Sequence, residues 1–419
     1  MNITRRKVAA GMAVLAAAFS LQGSALAQAK PPIRIGFSIA QTGQLAGGGK
    51  GGLLALEMWR DDINARGGLL GRKVELVVYD DQSNPANVPG IYSKLIDLDK
   101  VDLLVGPYGT NLAATIMPMM KQRDLLLLNN LGVGVNARIK HDKWFNNAPF
   151  GEGAASFAKV FLEPAKKIGA KSIAVLAADA EFSQNVANEA RAQAKAMGMR
   201  VVYDQNYPPS TVDFSSMVRS VRAAKPDVVF IGAYPSDASG IVRAVNEIGV
   251  GDSVKMIGGG MAGPQFGAVL TSLGPQLNGF VNYELYVPEG TVDYPGLKEF
   301  LARYAPLAEA QKIDQLGHYV PPFNYAIGQI LEQAVTSTGS LNHKVLADYL
   351  HKNELKTVVG NFRYSATGEW AVPRVLAVQY QGVAGKDLAQ FRQKGKRVII
   401  YPENVKSGEL RQPFEKARR

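Results

Sequence analysis

A glycine-rich segment near the start of the chain carries the sharpest chemical motif in the sequence. Three glycines match the spacing G-x-G-x-x-G of dinucleotide-binding folds: Gly47, Gly49 and Gly52. Asp80 and Asp81 end the next predicted strand, where a ribose-binding acid would stand. The first glycine of such a motif should turn the chain directly after its strand, but residues 40–46 intervene. We therefore expect residues 41–52 to form a flexible loop that approaches a small molecule closely. An exported nucleotide-dependent enzyme is the alternative.

The sequence lacks the usual signatures of metal-binding and nucleophilic sites. It contains no cysteine, which excludes thiolate metal sites, thiol catalysis and disulfide bonds. Its four histidines are scattered without metal-ligand spacing: His141, His318, His343 and His351. No serine lies in a G-x-S-x-G motif, and the residues suggest no paired acid and base. We therefore expect no enzymatic activity, no cofactor and no metal.

Polar and aromatic residues suited to holding a small molecule follow several predicted strands. Tyr108, Thr110 and Asn111 come after the third strand, beside the start of a helix. Thr110 also suits the N-cap of that helix, and a helix N-terminus favours an anion such as a ligand carboxylate. Phe182 and Tyr234 follow strands of the second half and are suited to closing over an apolar body. Ordinary interface packing accounts for these two rings equally well.

An alternation of strands and helices must position these residues. Residues 33–40, 53–65 and 74–79 predict a strand, a helix and a second strand, and the pattern continues to about residue 150. A second cycle of the same kind begins near residue 151. Each half therefore predicts a doubly wound, Rossmann-like α/β layer whose loops converge at the carboxyl edge of its strands. Residues 361–380 predict a β-hairpin that fits neither half.

The N-terminal residues have the composition of a secretory signal peptide. Arg5, Arg6 and Lys7 precede an apolar run over residues 8–21, and Ala25-Leu26-Ala27 matches an A-x-A cleavage site. Both the general secretory and the twin-arginine routes fit this pattern. Cleavage after Ala27 leaves 392 residues, enough for two domains, and lowers the formal net charge from +11 to +8. Because the remaining cations are scattered except in the last residues, we expect no nucleic-acid partner.

Several runs of residues resemble one family of transport proteins. The most specific is DDINARGGLLGRKVEL at residues 61–76, followed by YDD and NP. VGP at 105–107, FS at 214–215 and TVVGNF at 357–362 stand where that family has similar runs. Over nearly its whole mature length the chain resembles the extracytoplasmic substrate-binding proteins of ABC importers, in the branched-chain amino acid (Leu/Ile/Val) and amide class.

The resemblance implies a type I periplasmic binding protein, with two lobes that are joined by three crossovers and close over a ligand like a Venus flytrap. It also implies a periplasmic location and a permease partner in the inner membrane. By position, Thr110 matches the hydroxyl that binds the ligand carboxylate in leucine-binding relatives. Phe182 and Tyr234 match their aromatic contacts from the second lobe. The expected ligand-binding set is Gln41, Tyr108, Thr110, Asn111, Leu131, Gly132, Val133, Phe182, Tyr234, Gly259 and Glu284.

Two departures from this family bear on the ligand. Relatives that bind amino acids place an acid after the strand that ends at Ile257, but here residues 258–260 are all glycine. Relatives also often carry a bulky residue near Gly48. A buried, unpaired ammonium group would be costly, and Glu284 at a predicted crossover is the one acid expected to compensate. We therefore expect a ligand larger than leucine, namely a carboxylate with an aromatic or amide body that need not be an α-amino acid.

The resemblance also divides the chain. The signal peptide covers residues 1–27, the first lobe 30–150 and 281–358, the second lobe 151–280 and 359–400, and a basic tail 401–419. We expect a receptor that captures a small amino acid, amide or aromatic carboxylate and delivers it to a permease. A ligand-sensing subunit that docks on a receptor is the remaining alternative, because the same closure serves sensing.

Overall fold

The computed structural model describes residues 30–419 of the chain. The predicted signal peptide lies outside these residues. Within residues 30–419, helices and strands alternate to form two separate β-sheets with helices packed against them, which confirms the predicted α/β class. In the same part of the chain, no helix combines the length and apolar content needed to span a membrane.

Five parallel strands form the first sheet. They are β1 (Ile33–Ser38), β2 (Val74–Tyr79), β3 (Leu103–Tyr108), β4 (Leu127–Asn130) and β5 (Trp144–Asn147). Their order across the sheet is β2-β1-β3-β4-β5. Because the order reverses between β1 and β3, the loops after these two strands turn to opposite faces and leave a crevice at the carboxyl edge.

Seven strands form the second sheet. They are β6 (Ser172–Ala178), β7 (Arg200–Tyr207), β8 (Val228–Ala233), β9 (Met256–Met261), β10 (Val281–Glu284), β13 (Leu376–Tyr380) and β14 (Arg397–Tyr401). The order is β14-β13-β10-β9-β8-β6-β7, with β13 antiparallel to both its neighbours and the remaining pairs parallel. This order also reverses, between β6 and β8, so the second sheet has its own crevice.

Helices cover both sheets. The helices are α1 (Ala46–Ala65), α2 (Val88–Asp97), α3 (Thr110–Gln122), α4 (Asn136–Ile139), α5 (Ala155–Lys167), α6 (Glu181–Ala196), α7 (Ser215–Ala224), α8 (Pro235–Ile248), α9 (Gly267–Leu273), α10 (Leu297–Ala310), α11 (Val320–Thr338), α12 (His343–Lys352) and α13 (Phe414–Ala417). Three short 3₁₀ turns lie at Gly274–Leu277, Leu388–Arg392 and Glu403–Val405. A small antiparallel pair, β11 (Leu355–Thr357) and β12 (Gly360–Phe362), lies beside α11.

The expected glycine loop is wrong, because α1 already begins at Ala46 and includes all three glycines of the motif. Close packing accounts for the difference. A Cβ added at Gly49 would lie 1.8 Å from the Ala40 carbonyl oxygen, and one at Gly52 would lie 2.4 Å from Asn324 Nδ2 of α11. In a helix interior glycine is less favourable than alanine by about 1 kcal/mol, but here only glycine lets α1 approach its neighbours so closely.

The expected hairpin over residues 361–380 is also wrong. β12 pairs with β11, whereas β13 lies inside the second sheet between β10 and β14. The residues between them form only an isolated bridge from Tyr364 to Trp370. All five residues of β13 are buried, and a two-stranded hairpin cannot bury both of its faces.

The chain ranges of the two lobes remain a prediction. Strand pairing and side-chain packing place three segments differently from those ranges. Strand β10 belongs to the second sheet although residues 281–358 were assigned to the first lobe. Strand β12 stays beside α11 although it was assigned to the second. The expected tail packs onto the second sheet, because Phe414 is fully buried with its ring centroid 5.0 Å from that of Phe280.

Candidate functional site

A narrow cavity lies where loops at the carboxyl edges of the two sheets meet. Its lining comes from both sheets and from the segments between them: Leu45, Tyr108, Gly109, Thr110, Leu131, Val133, Phe150, Phe182, Tyr234, Ala262, Tyr283 and Tyr319. The cavity has a volume of about 30 Å³, which is room for about two water molecules. The two halves of the chain are therefore nearly closed over it.

Thr110 supplies the main hydroxyl on the wall formed by the first sheet. It is the first residue of α3, directly after Gly109, whose φ of +117° turns the chain from β3 into the helix. Thr110 is 3% exposed, and its Oγ1 accepts a hydrogen bond of 3.1 Å from the Val133 backbone N–H. The Thr110 hydroxyl proton therefore stays available for an acceptor in the cavity, next to the positive end of the α3 dipole.

The opposite wall is aromatic. The rings of Phe182 and Tyr234 meet edge to face with their centroids 5.8 Å apart. The hydroxyls of Tyr283 and Tyr319 form a hydrogen bond of 2.8 Å with each other. The Tyr234 hydroxyl is buried and has no hydrogen-bond partner among the described residues. This wall offers ring faces and edges together with hydroxyls, so it suits a flat or branched apolar body that carries a polar group.

The cavity is electrically neutral. None of its lining residues is acidic or basic. Burial raises the pKa of Tyr108, Tyr283 and Tyr319 well above the ordinary value, so these phenols stay protonated at neutral pH. Within the described residues, no cluster of three or more histidine, aspartate or glutamate side chains has the arrangement needed to hold a metal ion.

The structure brings six of the eleven expected ligand-binding residues together at this cavity: Tyr108, Thr110, Leu131, Val133, Phe182 and Tyr234. Asn111 and Gly132 are chain neighbours of lining residues but are not part of the lining. Gln41 lies over the end of β2, where its backbone N–H donates to Asp80 Oδ1 at 2.9 Å. Gly259 is an interior residue of β9, and a Cβ there would lie 2.6 Å from the Phe230 ring.

Glu284 is not available to a ligand ammonium group, contrary to expectation. It is fully buried and pairs with Arg397 at 3.3 Å. Arg397 Nη2 in turn contacts His318 Nδ1. Burial raises the pKa of Glu284 to about 7, against the lowering effect of Arg397. The carboxylate therefore belongs to a buried ion pair of the second sheet and faces no ligand.

Asp80 and Asp81 shape the loop after β1 and do not form a ribose site. Asp80 accepts the backbone N–H groups of Gln41 and Gln82, and Asp81 accepts the Ser38 hydroxyl at 2.8 Å. With the motif glycines inside α1, the arrangement does not favour the nucleotide-dependent alternative.

Sequence reasoning missed six lining residues: Leu45, Gly109, Phe150, Ala262, Tyr283 and Tyr319. Leu45, Gly109 and Ala262 lie inside loops that the strand pattern had placed at the right edge, but they were not singled out there. Phe150 follows β5, Tyr283 lies within β10, and Tyr319 immediately precedes α11. No local pattern indicates which way these three side chains point.

Comparison with known proteins places this architecture. A family model described as periplasmic binding protein matches residues 32–386. The chain belongs to the periplasmic binding protein family. Among its relatives, the Leu/Ile/Val-binding protein homolog 7 of Brucella suis biovar 1 is 26% identical over 95% of this chain and 98% of its own length.

Solved structures of substrate-binding proteins have the same fold as this chain. The branched-chain amino acid substrate-binding protein LivJ of Streptococcus pneumoniae, in complex with isoleucine, has a TM-score of 0.71 at 19% identity and covers 83% of this chain and 96% of its own. A solute-binding protein from R. palustris in complex with benzoate also has a TM-score of 0.71 at 19% identity, covering 88% and 95%. The predicted type I periplasmic binding protein fold is therefore confirmed.

Proposed function

We propose that this protein is the solute-binding receptor of an ABC importer. It captures a small carboxylate-bearing ligand between its two sheets and delivers it to a permease in the inner membrane. The observation that carries the proposal is one cavity with Thr110 on one wall and Tyr234 on the other, in a chain of the periplasmic binding protein family. The ligand-sensing alternative has no separate observation in its favour.

The ligand carboxylate binds at the start of α3. Gly109 and Thr110 line the cavity at this helix N-terminus, where the Thr110 hydroxyl and the unpaired backbone N–H groups of a first helical turn favour an anion. No lysine or arginine lines the cavity, so hydrogen bonds and the helix dipole must hold the anion.

The body of the ligand is uncharged and apolar or aromatic. A free α-amino acid would bring an ammonium group into a cavity that has no acidic lining residue, and Glu284 is paired with Arg397. Burying an unpaired ammonium is strongly unfavourable. The ligand class that suits this lining is a carboxylate with an aromatic or amide body, which requires the two lobes to move apart from the nearly closed arrangement. The R. palustris relative in complex with benzoate is a precedent for such a ligand in this fold.

Closure of the two lobes couples binding to delivery. Asn185 of α6 donates to the Val133 carbonyl oxygen at 2.8 Å, and Arg138 forms an ion pair with Glu181 at the rim. These contacts join the first sheet to a helix of the second, so they exist only in the closed arrangement. A ligand that touches both walls stabilises that arrangement relative to the open one.

Calorimetric titration tests the ligand class. Purified protein is titrated with leucine, isoleucine, benzoate, 4-hydroxybenzoate and their amides, and small molecules released on denaturation are identified by mass spectrometry. We expect at least one aromatic or amide-bearing acid to bind more tightly than leucine. Tight leucine binding without any response to the bulkier acids would refute the ligand class. No binding by any compound and no released molecule would contradict the receptor role.

Three Thr110 and Thr115 variants test the carboxylate contact. Thr110→Val removes the hydroxyl, and a hydrogen bond to a charged group is worth about 1.5–3 kcal/mol, or ~10–100-fold in affinity. Thr110→Ser retains the hydroxyl and should bind within about threefold of the wild type. Thr115→Val is the matched control on the same helix, because Thr115 Oγ1 donates only to the Leu112 carbonyl oxygen.

Export is tested at the N-terminus. We propose a periplasmic location with cleavage after Ala27. N-terminal sequencing of the protein from a periplasmic fraction should therefore start at Gln28, and an intact Met1 in that fraction would contradict the proposed cleavage.

A further inference from the structure

A side-chain amide fixes the loop that carries two lining residues of the cavity. Asn146, the third residue of β5, is fully buried beneath the loop after β4. Its Oδ1 accepts the Gly132 backbone N–H at 3.0 Å, and its Nδ2 donates to the Gly132 carbonyl oxygen. Asn146 thus pairs with both backbone polar groups of a single residue, as a neighbouring strand would. The residues on either side of Gly132 are Leu131 and Val133, which line the cavity.

The loop needs such support because its backbone is in an unfavourable conformation. Leu131 has a φ of +54°, in the left-handed region that a leucine side chain disfavours. Val133 connects this loop to two other parts of the structure. The Val133 N–H donates to Thr110 Oγ1, and the Val133 carbonyl oxygen accepts from Asn185 of the other lobe. The position of this loop therefore sets both the orientation of the Thr110 hydroxyl and the closing contact.

Glu369 holds Asn146 in place from below. Its Oε2 accepts from Asn146 Nδ2 at 2.8 Å, and its Oε1 accepts from Trp144 Nε1 at 3.2 Å. Glu369 is 4% exposed and pairs with no cation among the described residues. Burying a carboxyl group is unfavourable unless its oxygens are hydrogen-bonded, and the bonds from Asn146 and Trp144 are the ones that satisfy Glu369.

The segment that carries Glu369 is itself docked firmly. The Asn146 N–H donates to the Gly368 carbonyl oxygen at 2.8 Å, so the segment lies along the edge strand β5. A Cβ added at Gly368 would lie 1.7 Å from the Trp144 carbonyl oxygen, and its φ is +76°. Only glycine permits this approach, which brings Glu369 beneath the sheet from more than 200 residues away in sequence.

We propose that Glu369 is a positioning residue for ligand binding, which acts through Asn146 to hold residues 131–133 in their cavity-lining conformation. The inference rests on the proposed ligand cavity. It assigns an affinity-determining role to a residue that touches neither the cavity nor the rim. The essential feature of Glu369 is an oxygen acceptor aimed at Asn146 Nδ2, and volume alone cannot replace it.

Hydrogen–deuterium exchange of the loop tests the inference without any ligand. Glu369→Met keeps the volume and removes the acceptor, whereas Glu369→Gln keeps one carbonyl oxygen for Asn146. We expect the peptide covering residues 129–135 to exchange at least tenfold faster in Glu369→Met and within threefold of the wild type in Glu369→Gln. Exchange of strand β6 should not change. Glu152→Gln is the matched control, since exposed Glu152 bonds only Thr367 Oγ1 nearby.

Unchanged loop exchange in folded Glu369→Met, or equal acceleration in both Glu369 variants, would overturn the inference. If Glu369→Met does not fold, Asn146→Leu decides, because it keeps the approximate side-chain volume and loses the hydrogen bonds to both Gly132 and Glu369. Its loop exchange should also rise at least tenfold, and an unchanged rate overturns the inference.

Titration with benzoate gives the functional result. If benzoate binds the wild type, its affinity for Glu369→Met should be about tenfold lower, and its affinity for Glu369→Gln should be within threefold of the wild type. Equal affinity in all three proteins overturns the inference. Failure of benzoate to bind the wild type bears only on the proposed ligand class, and the exchange rates then decide alone.

Discussion

Glu369 gives a sharp prediction about the pH dependence of stability. Burial raises the pKa of this carboxyl group from 4.5 to about 8, although the bonds from Asn146 and Trp144 lower it. In the unfolded chain the group ionises near pH 4.5, while in the folded protein it keeps its proton until about pH 8. Between these values the unfolded state binds fewer protons, so rising pH lowers the free energy of unfolding.

The size of the effect follows from the pKa difference. Between pH 4.5 and about 8, each pH unit lowers the free energy of unfolding by about 1.4 kcal/mol. Over the whole range the loss is about 4–5 kcal/mol at most. Glu369→Gln has no proton to lose and resembles the protonated side chain. We therefore expect the variant to match the wild type within about 1 kcal/mol at pH 5. It should become progressively more stable than the wild type as pH rises to 8, with a constant difference above that.

Tryptophan fluorescence in urea measures this directly. The chain has three tryptophans, Trp59, Trp144 and Trp370. All three are buried in the same core cluster, and two of them lie next to Glu369 in space or sequence. Unfolding of the wild type, of Glu369→Gln and of the exposed control Glu247→Gln is followed at pH 5, 6.5, 8 and 9. The control should parallel the wild type.

If the free energies of unfolding of Glu369→Gln and the wild type differ by the same amount from pH 5 to 9, the reasoning is refuted. It is also refuted if the wild type gains stability relative to Glu369→Gln as pH rises, since the folded protein would then favour the ionised carboxylate.

Two further predictions concern closure and the close packing of α1. Asn185→Ala removes the hydrogen bond to the opposite lobe, which is worth about 1 kcal/mol. Release of a bound acid, measured by stopped flow, should therefore be roughly fivefold faster. Asn188→Ala, an exposed change on the same helix, should leave the release rate unchanged. Gly49→Ala should lower the free energy of unfolding by at least about 1–3 kcal/mol despite the better helix propensity of alanine, because its Cβ would collide with Ala40. Gly90→Ala in α2, where nothing lies within 4 Å of a Cβ, should instead raise that free energy by about 0.5–1 kcal/mol. Equal effects of the two glycine substitutions would contradict the packing argument.

Local patterns in the sequence were enough to predict the class of fold and the edge that carries the cavity. Apolar runs, helical periodicity and turn residues are properties of neighbouring residues, so the alternation of strands and helices can be predicted from them. Loops after parallel strands meet at one edge, and this rule correctly brought Tyr108, Thr110, Phe182 and Tyr234 together.

The tertiary structure decided which groups are free to meet a ligand. Glycine spacing suggested a loop, but contacts with Ala40 and Asn324 make those residues the start of a helix. The sequence predicted that Glu284 could meet a ligand, but the fold pairs it with Arg397. Tyr283 reaches the cavity from β10, and Tyr319 reaches it from the residue before α11. The support of the binding loop by Glu369 joins residues 223 positions apart. Such contacts depend on how distant segments pack, and a sequence pattern limited to neighbouring residues contains no information about them.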